Sequence, residues 1–121
     1  MANTNLFNQR CFACSIDTPP LEADSIQDLI KELEAGWKVI DNERIERQFR
    51  FKDFKGALEF VNFVGEVAEE EGHHPDIELG WGKVKISLMT HKIKGLSKND
   101  FILASKIDQI PKQKTLMSYM P

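Results

Sequence analysis

Two hydrophobic periods alternate along this chain. Leu21, Ile26, Leu29, Ile30 and Leu33 recur at helical spacing, which predicts an amphipathic helix over about residues 22–35, set up by Pro19-Pro20 and ended by Gly36. Trp37–Ile40 reads as a short strand and Asp41-Asn42 as a turn. Ile45, Arg47, Phe49 and Phe51 then alternate with Glu46, Gln48 and Arg50, a strand folded back on the first as a hairpin. From about Phe54 to Glu71 the helical period returns. Phe54, Leu58, Val61, Val64 and Ala68 form one stripe, widened by Phe60, Phe63 and Val67, and Gly72 stops it. Ile77 and Leu79 mark another short strand. Gly80-Trp81-Gly82 makes a tight connection, and Val84, Ile86 and Leu88 alternate in the strand that follows. Ser97, with Asp100 three positions on, caps a third helix expected to run to about Asp108.

The predicted order is α-β-β-α-β-β-α. It implies an α+β domain with a four-stranded, mostly antiparallel sheet and helices packed on one face. Residues 1–20 read as an extended lead-in, 21–110 as a single domain, and 111–121 as a loose tail after Pro111. The stripe on the second helix is wide enough to want cover from a partner subunit as well as from the sheet.

Bulk composition narrows the picture. The chain has 121 residues, 41% hydrophobic and 29% charged, which suits one globular domain. The net charge of −3 gives no basic surface for nucleic acid. No apolar run approaches the roughly 20 residues that span a bilayer. The N-terminus lacks the basic start and apolar stretch of a signal peptide, so a cytoplasmic location is expected. Cys11 and Cys14 form a lone Cys-x-x-Cys pair. It is half of a zinc site, it stands outside the strand–helix setting of a redox motif, and it reads as structural or incidental.

The candidate chemistry is concentrated in one segment. All three histidines, His73, His74 and His91, fall between positions 73 and 91, and imidazole moves protons in either direction near neutral pH. Glu69, Glu70 and Glu71 occupy the last turn of the second helix, the wrong end for acids. A local rule broken in this way points to a functional site. Glu69, four residues before His73, is expected to contact it and favour its protonated form. His74 precedes Pro75 and is therefore held extended, so His73 and His74 are expected to point in different directions. His91 is placed on the strand face opposite Thr90.

Glu69, His73-His74-Pro75, Trp81, His91 and Asp100 together fill a pattern that resembles the signature of the pterin-4a-carbinolamine dehydratases. The resemblance runs from about residue 10 to 110. It includes Gly36-Trp37, Thr90-His91, Gly95-Leu96-Ser97 and, more weakly, the Cys-x-x-Cys followed by Pro-Pro-Leu. Asn99 and Gly72 depart from it, where relatives often carry a basic and an acidic residue. The resemblance implies dehydration of a 4a-hydroxytetrahydropterin, with no metal and no redox cofactor. His73 and His91 would supply the acid and base steps, and His74 would orient the ring or assist. Glu69, Pro75, Thr90 and Asp100 would complete a substrate site walled by Trp37 and Trp81. It also implies a homodimer or homotetramer. Two other readings compete: a zinc site built on Glu69 and the three histidines, and a protein-interaction or dimerisation module with little catalysis.

Overall fold

The computed structural model describes residues 5–121. The elements in order are a 3-10 turn (Leu6–Asn8), α1 (Ala23–Ile30), β1 (Lys38–Ile40), β2 (Arg44–Phe51), α2 (Phe54–Glu71), β3 (Asp76–Gly80), β4 (Lys83–Leu88), a 3-10 turn (His91–Ile93), α3 (Lys98–Gln113) and β5 (Tyr119–Met120). The strands form one sheet in the order β1-β2-β4-β3, every pair antiparallel, and β5 adds a short fifth strand beside β2. This is the expected α+β fold.

Alternation decides which face of the sheet is covered. Ile45, Phe49 and Phe51 of β2 and Val84, Ile86 and Leu88 of β4 are buried, and they join Phe60 and Val64 of α2 and Phe101, Leu103 and Ile107 of α3 in one core. Gln48, Arg50 and Lys83 take the other parity and stay exposed. Packing of α2 against both α3 and the sheet brings the C-terminal end of α2 beside the start of α3.

Helix ends fix the segments that carry the histidines. The Asp53 carboxylate accepts the Gly56 N–H at 2.8 Å to start α2. At the other end Gly72 takes φ 67°, a left-handed conformation that glycine adopts without Cβ strain, and both Gly72 and His73 N–H groups bond to the Ala68 carbonyl. α3 opens with a capping box: the Ser97 side chain accepts the Asn99 N–H, and the Asp100 carboxylate accepts the Ser97 N–H at 2.9 Å.

Three expectations change. The first helix stops at Ile30 and continues as tight turns, because the Glu34 N–H is taken by the Asp108 carboxylate at 3.0 Å. The third helix runs past Pro111 to Gln113; the proline cannot donate to the Ile107 carbonyl, and burial of Ile110 and Pro111 offsets that lost bond. The tail is not loose. Leu116 is buried, Tyr119 packs on Phe51 at 5.7 Å between ring centres, and Arg47 donates to the Tyr119 hydroxyl at 3.1 Å.

Candidate active site

The abrupt stop at Gly72 leaves His73 and His74 on an extended segment leading into β3, while β4 ends at Leu88 and hands the chain to the turn that carries His91. A Thr90–Gly95 backbone bridge closes that turn, with Thr90 N–H to Gly95 O at 2.8 Å. These pieces meet around a cleft of about 350 Å³ whose lining includes His73, His74, Thr90 and His91. The volume lies at the lower end of the range for small-molecule sites.

Each imidazole has a different setting. His73 is largely covered, and its Nε2 lies 2.6 Å from Asp100 Oδ1. Asp100 is fully buried. Its Oδ2 accepts from the Thr90 hydroxyl at 2.9 Å and from the Ser97 N–H. The Ser97 hydroxyl lies 2.7 Å from Thr90 Oγ1 and extends the chain. A carboxylate already receiving two donors acts as an acceptor toward the ring too, which puts the proton on Nε2 and leaves Nδ1 as the acceptor nitrogen of the neutral ring. His74 turns the other way and pairs its Nε2 with Glu69 Oε2 at 2.5 Å, on an exposed surface. His91 is exposed at the cleft.

Two of the three misplaced acids at the end of α2, Glu69 and Glu71, are explained by their partners. Glu69 is held by His74. Glu71 is half-buried with its side chain covered, and it accepts from the Cys11 N–H at 2.8 Å and from Lys106 Nζ at 2.7 Å, with Arg10 Nε at 3.2 Å. Burial pushes the Glu71 carboxyl up, but the Cys11, Lys106 and Arg10 contacts outweigh it and hold the group below its ordinary value. A depressed folded-state value means that this stabilisation is present above the ordinary carboxylate range and is lost as pH falls through the folded value. Thermal unfolding should therefore show a loss of stability below about pH 4, and Glu71→Gln should flatten that acid limb while lowering the plateau.

Burial, and then the negative charge of Glu71, push the Cys11 thiol up to about 12. It is a neutral S–H lying 3.6 Å from the Asn99 carbonyl oxygen. A thiol held in this way is neither a ready redox nucleophile nor a ready metal ligand. Among the described residues no group of three or more His, Cys, Asp or Glu side chains is arranged to hold a metal ion.

The family model for pterin 4 alpha carbinolamine dehydratase matches residues 19–110. The chain belongs to that family. A protein of Alkaliphilus metalliredigens, provisionally named a pterin-4-alpha-carbinolamine dehydratase, is 53% identical over 105 residues, covering 87% of this chain and 95% of its own. A crystal structure titled transcriptional coactivator/pterin dehydratase, from Brucella melitensis, superposes with a TM-score of 0.71 at 32% identity, covering 75% of this chain and 97% of that one. A pterin dehydratase-like protein described as a RuBisCO assembly factor of the alpha-carboxysome shares the fold, with a TM-score of 0.55 at 20% identity, covering 64% of this chain and 90% of that one.

Measured against the pterin dehydratase pattern, the residues divide. His73, His74, His91 and Thr90 line one cleft, and Asp100 stands behind His73. Glu69 contacts His74 rather than His73, because the chain turns sharply at Gly72. Pro75 fixes the extended backbone without lining the cleft. Neither tryptophan is a wall. Trp37 is a core residue whose Nε1 donates to Asp108 at 2.9 Å, and Trp81 sits 71% exposed at the tip of the β3–β4 hairpin. The lining that pattern reasoning missed is Phe12, Ala13, Cys14, Met89, Lys92 and Asn99. The lead-in has no apolar period to betray it, and its one visible signal was the Cys-x-x-Cys pair. Asp100 bridges Thr90 and His73 by hydrogen bonds, so Asp100→Asn should place an amide N–H against a donor and disturb the His73 tautomer. The expected result is a fall in kcat of about ten- to a hundredfold with a shifted pH profile, measured by stopped-flow absorbance.

Proposed function

We propose that the protein dehydrates 4a-hydroxytetrahydrobiopterin to quinonoid dihydropterin by histidine acid–base catalysis, as a step in tetrahydrobiopterin recycling. The observation that carries this reading is that His91 lines the same cleft as His73 and His74, although β3 and β4 lie between them in the chain.

The chemistry asks for two proton transfers and a pocket. The 4a-hydroxyl sits on a carbon bonded to N5. An acid protonates the hydroxyl, the C4a–O bond breaks and releases water, and the N5 lone pair forms the C4a=N5 double bond. A base then takes the N5 proton, which restores neutrality. His73 suits the base step: when Nδ1 takes a proton, the Asp100 carboxylate behind Nε2 stabilises the resulting cation. His91 suits the acid step and is solvent-accessible for reprotonation. His74, oriented by Glu69, binds the ring or assists. The reaction so written needs neither a metal nor a redox cofactor. Association into a homodimer or homotetramer is part of the proposal, because Phe54 and Leu58 leave an apolar surface exposed on α2.

That same surface favours the second reading, a protein-interaction module with little catalysis; the Brucella protein is described as a transcriptional coactivator as well as a pterin dehydratase. The deciding experiment is stopped-flow dehydration of 4a-hydroxytetrahydrobiopterin with purified protein. Acceleration well above the spontaneous rate supports the enzyme. A rate equal to the protein-free control leaves the interaction module.

A further inference from the structure

The segment Arg10–Cys14 precedes the stretch matched by the family model, which begins at residue 19, yet Phe12, Ala13 and Cys14 form part of the histidine cleft. It belongs to no helix or strand. Side chains hold it instead. Glu71 binds the Cys11 N–H and Arg10, and Lys92 Nζ reaches the Cys14 carbonyl at 3.3 Å. Between these anchors the Asn99 carboxamide grips Phe12 on both sides: Oδ1 accepts the Phe12 N–H at 2.9 Å and Nδ2 donates to the Phe12 carbonyl at 2.5 Å. Asn99 is 2% exposed, so this grip is shielded from water.

The result is a fixed backbone beneath an uncovered ring. Phe12 is 50% exposed, and it is one of the residues lining the cleft shared with the histidines. An aromatic side chain carried on an anchored backbone, with apolar surface still open to water, is placed to stack on a flat heterocycle. The two tryptophans cannot do this from where they lie. We propose that Phe12 is a substrate-binding residue that packs against the planar bicyclic ring of the pterin, and that Asn99 is its positioning residue. The proposal rests on the dehydratase reading for the identity of the ring.

The test compares Phe12→Ala, Phe12→Tyr, Asn99→Ala and the milder Asn99→Asp with the unmodified protein. Two quantities are measured: KM and kcat for 4a-hydroxytetrahydrobiopterin, and the Kd of oxidised biopterin from its fluorescence, which needs no turnover. Phe12→Ala should raise KM and the biopterin Kd by about 5- to 100-fold, the range of single-ring stacking, with kcat within about threefold and an unchanged Tm. Phe12→Tyr should restore binding. Both Asn99 variants should weaken binding in the same direction; Asn99→Ala should also lose amide-exchange protection at the Phe12 N–H, which Phe12→Ala keeps, whereas Asn99→Asp retains an acceptor for that N–H and loses only the donor to the Phe12 carbonyl. Unchanged KM and Kd in Phe12→Ala would overturn the proposal while leaving an active dehydratase intact. Unchanged binding in an Asn99 variant that has lost the Phe12 protection would overturn its positioning role. If the unmodified protein binds biopterin but does not dehydrate the carbinolamine, the catalytic reading fails and the Kd comparison still decides Phe12. If it does neither, both readings fall.

Discussion

Replacing His73 or His91 with alanine is expected to lower kcat for carbinolamine dehydration by a factor on the order of 10² or more, the usual scale for removing a positioned acid or base. The two variants should differ in everything but this loss. His91 is exposed in its turn, so His91→Ala should melt with the unmodified protein. His73 is one of the donors to the buried Asp100, so His73→Ala leaves that carboxylate a partner short and should also lower Tm. His74 pairs with Glu69 in the open, and His74→Ala should cost less than either. Stopped-flow absorbance gives the rates. Near-normal dehydration by both His73→Ala and His91→Ala would remove the catalytic assignment. Activity that disappeared with a chelator and returned with zinc would favour the metal alternative.

How far the sequence could carry this site depends on the kind of interaction that builds each part. Local periodicity set α2, whose bounds fall where the Phe54-to-Glu71 stripe and Gly72 put them. It also set β2 and β4, where alternation names the buried side chains. The capping box at Ser97 and Asp100 was readable because it is a four-residue pattern. The convergence of His73 and His91 came from the family pattern, because nothing local places a residue before β3 next to one after β4.

What escaped was held by long-range bonds between side chains and backbone. Asn99 entered the sequence reading only as a departure from relatives, yet it grips Phe12 across 87 positions. Glu71 reaches Cys11 across 60. Such contacts leave no period, so the lead-in read as featureless. The Glu69 partner was misjudged for a geometric reason: four residues apart suggests contact along a helix, but Gly72 ends the helix before His73.

Trp37 shows the same problem from the core side. A tryptophan beside a glycine reads equally well as a pocket wall or as packing, and its partner Asp108 lies 71 positions away. That pairing leads to the largest stability effect expected for this protein. Asp108 is buried. It accepts from Trp37 Nε1, from the Glu34 N–H at 3.0 Å and from Arg47, whose guanidinium lies 2.5 Å away and also holds Tyr119. One carboxylate thus ties the end of the α1 segment, the core tryptophan, β2 and the C-terminal strand to α3. Asp108→Ala removes the acceptor from three donors and strands the Arg47 charge, with its side chain only 13% exposed. The expected loss is about 3–5 kcal/mol, as when one member of a buried ion pair is deleted. Asp108→Asn keeps an acceptor oxygen for Trp37 and should lose less. Urea unfolding followed by tryptophan fluorescence measures both. The cleft lies at the opposite end of α3, beside Asn99 and Asp100, so Asp108→Asn that remains folded should keep its kcat while its unfolding midpoint drops. If Asp108→Ala unfolded within about 1 kcal/mol of the unmodified protein, the carboxylate would be a bystander, and the order of the C-terminal strand would have to rest on its pairing with β2 and on Leu116 and Tyr119 packing.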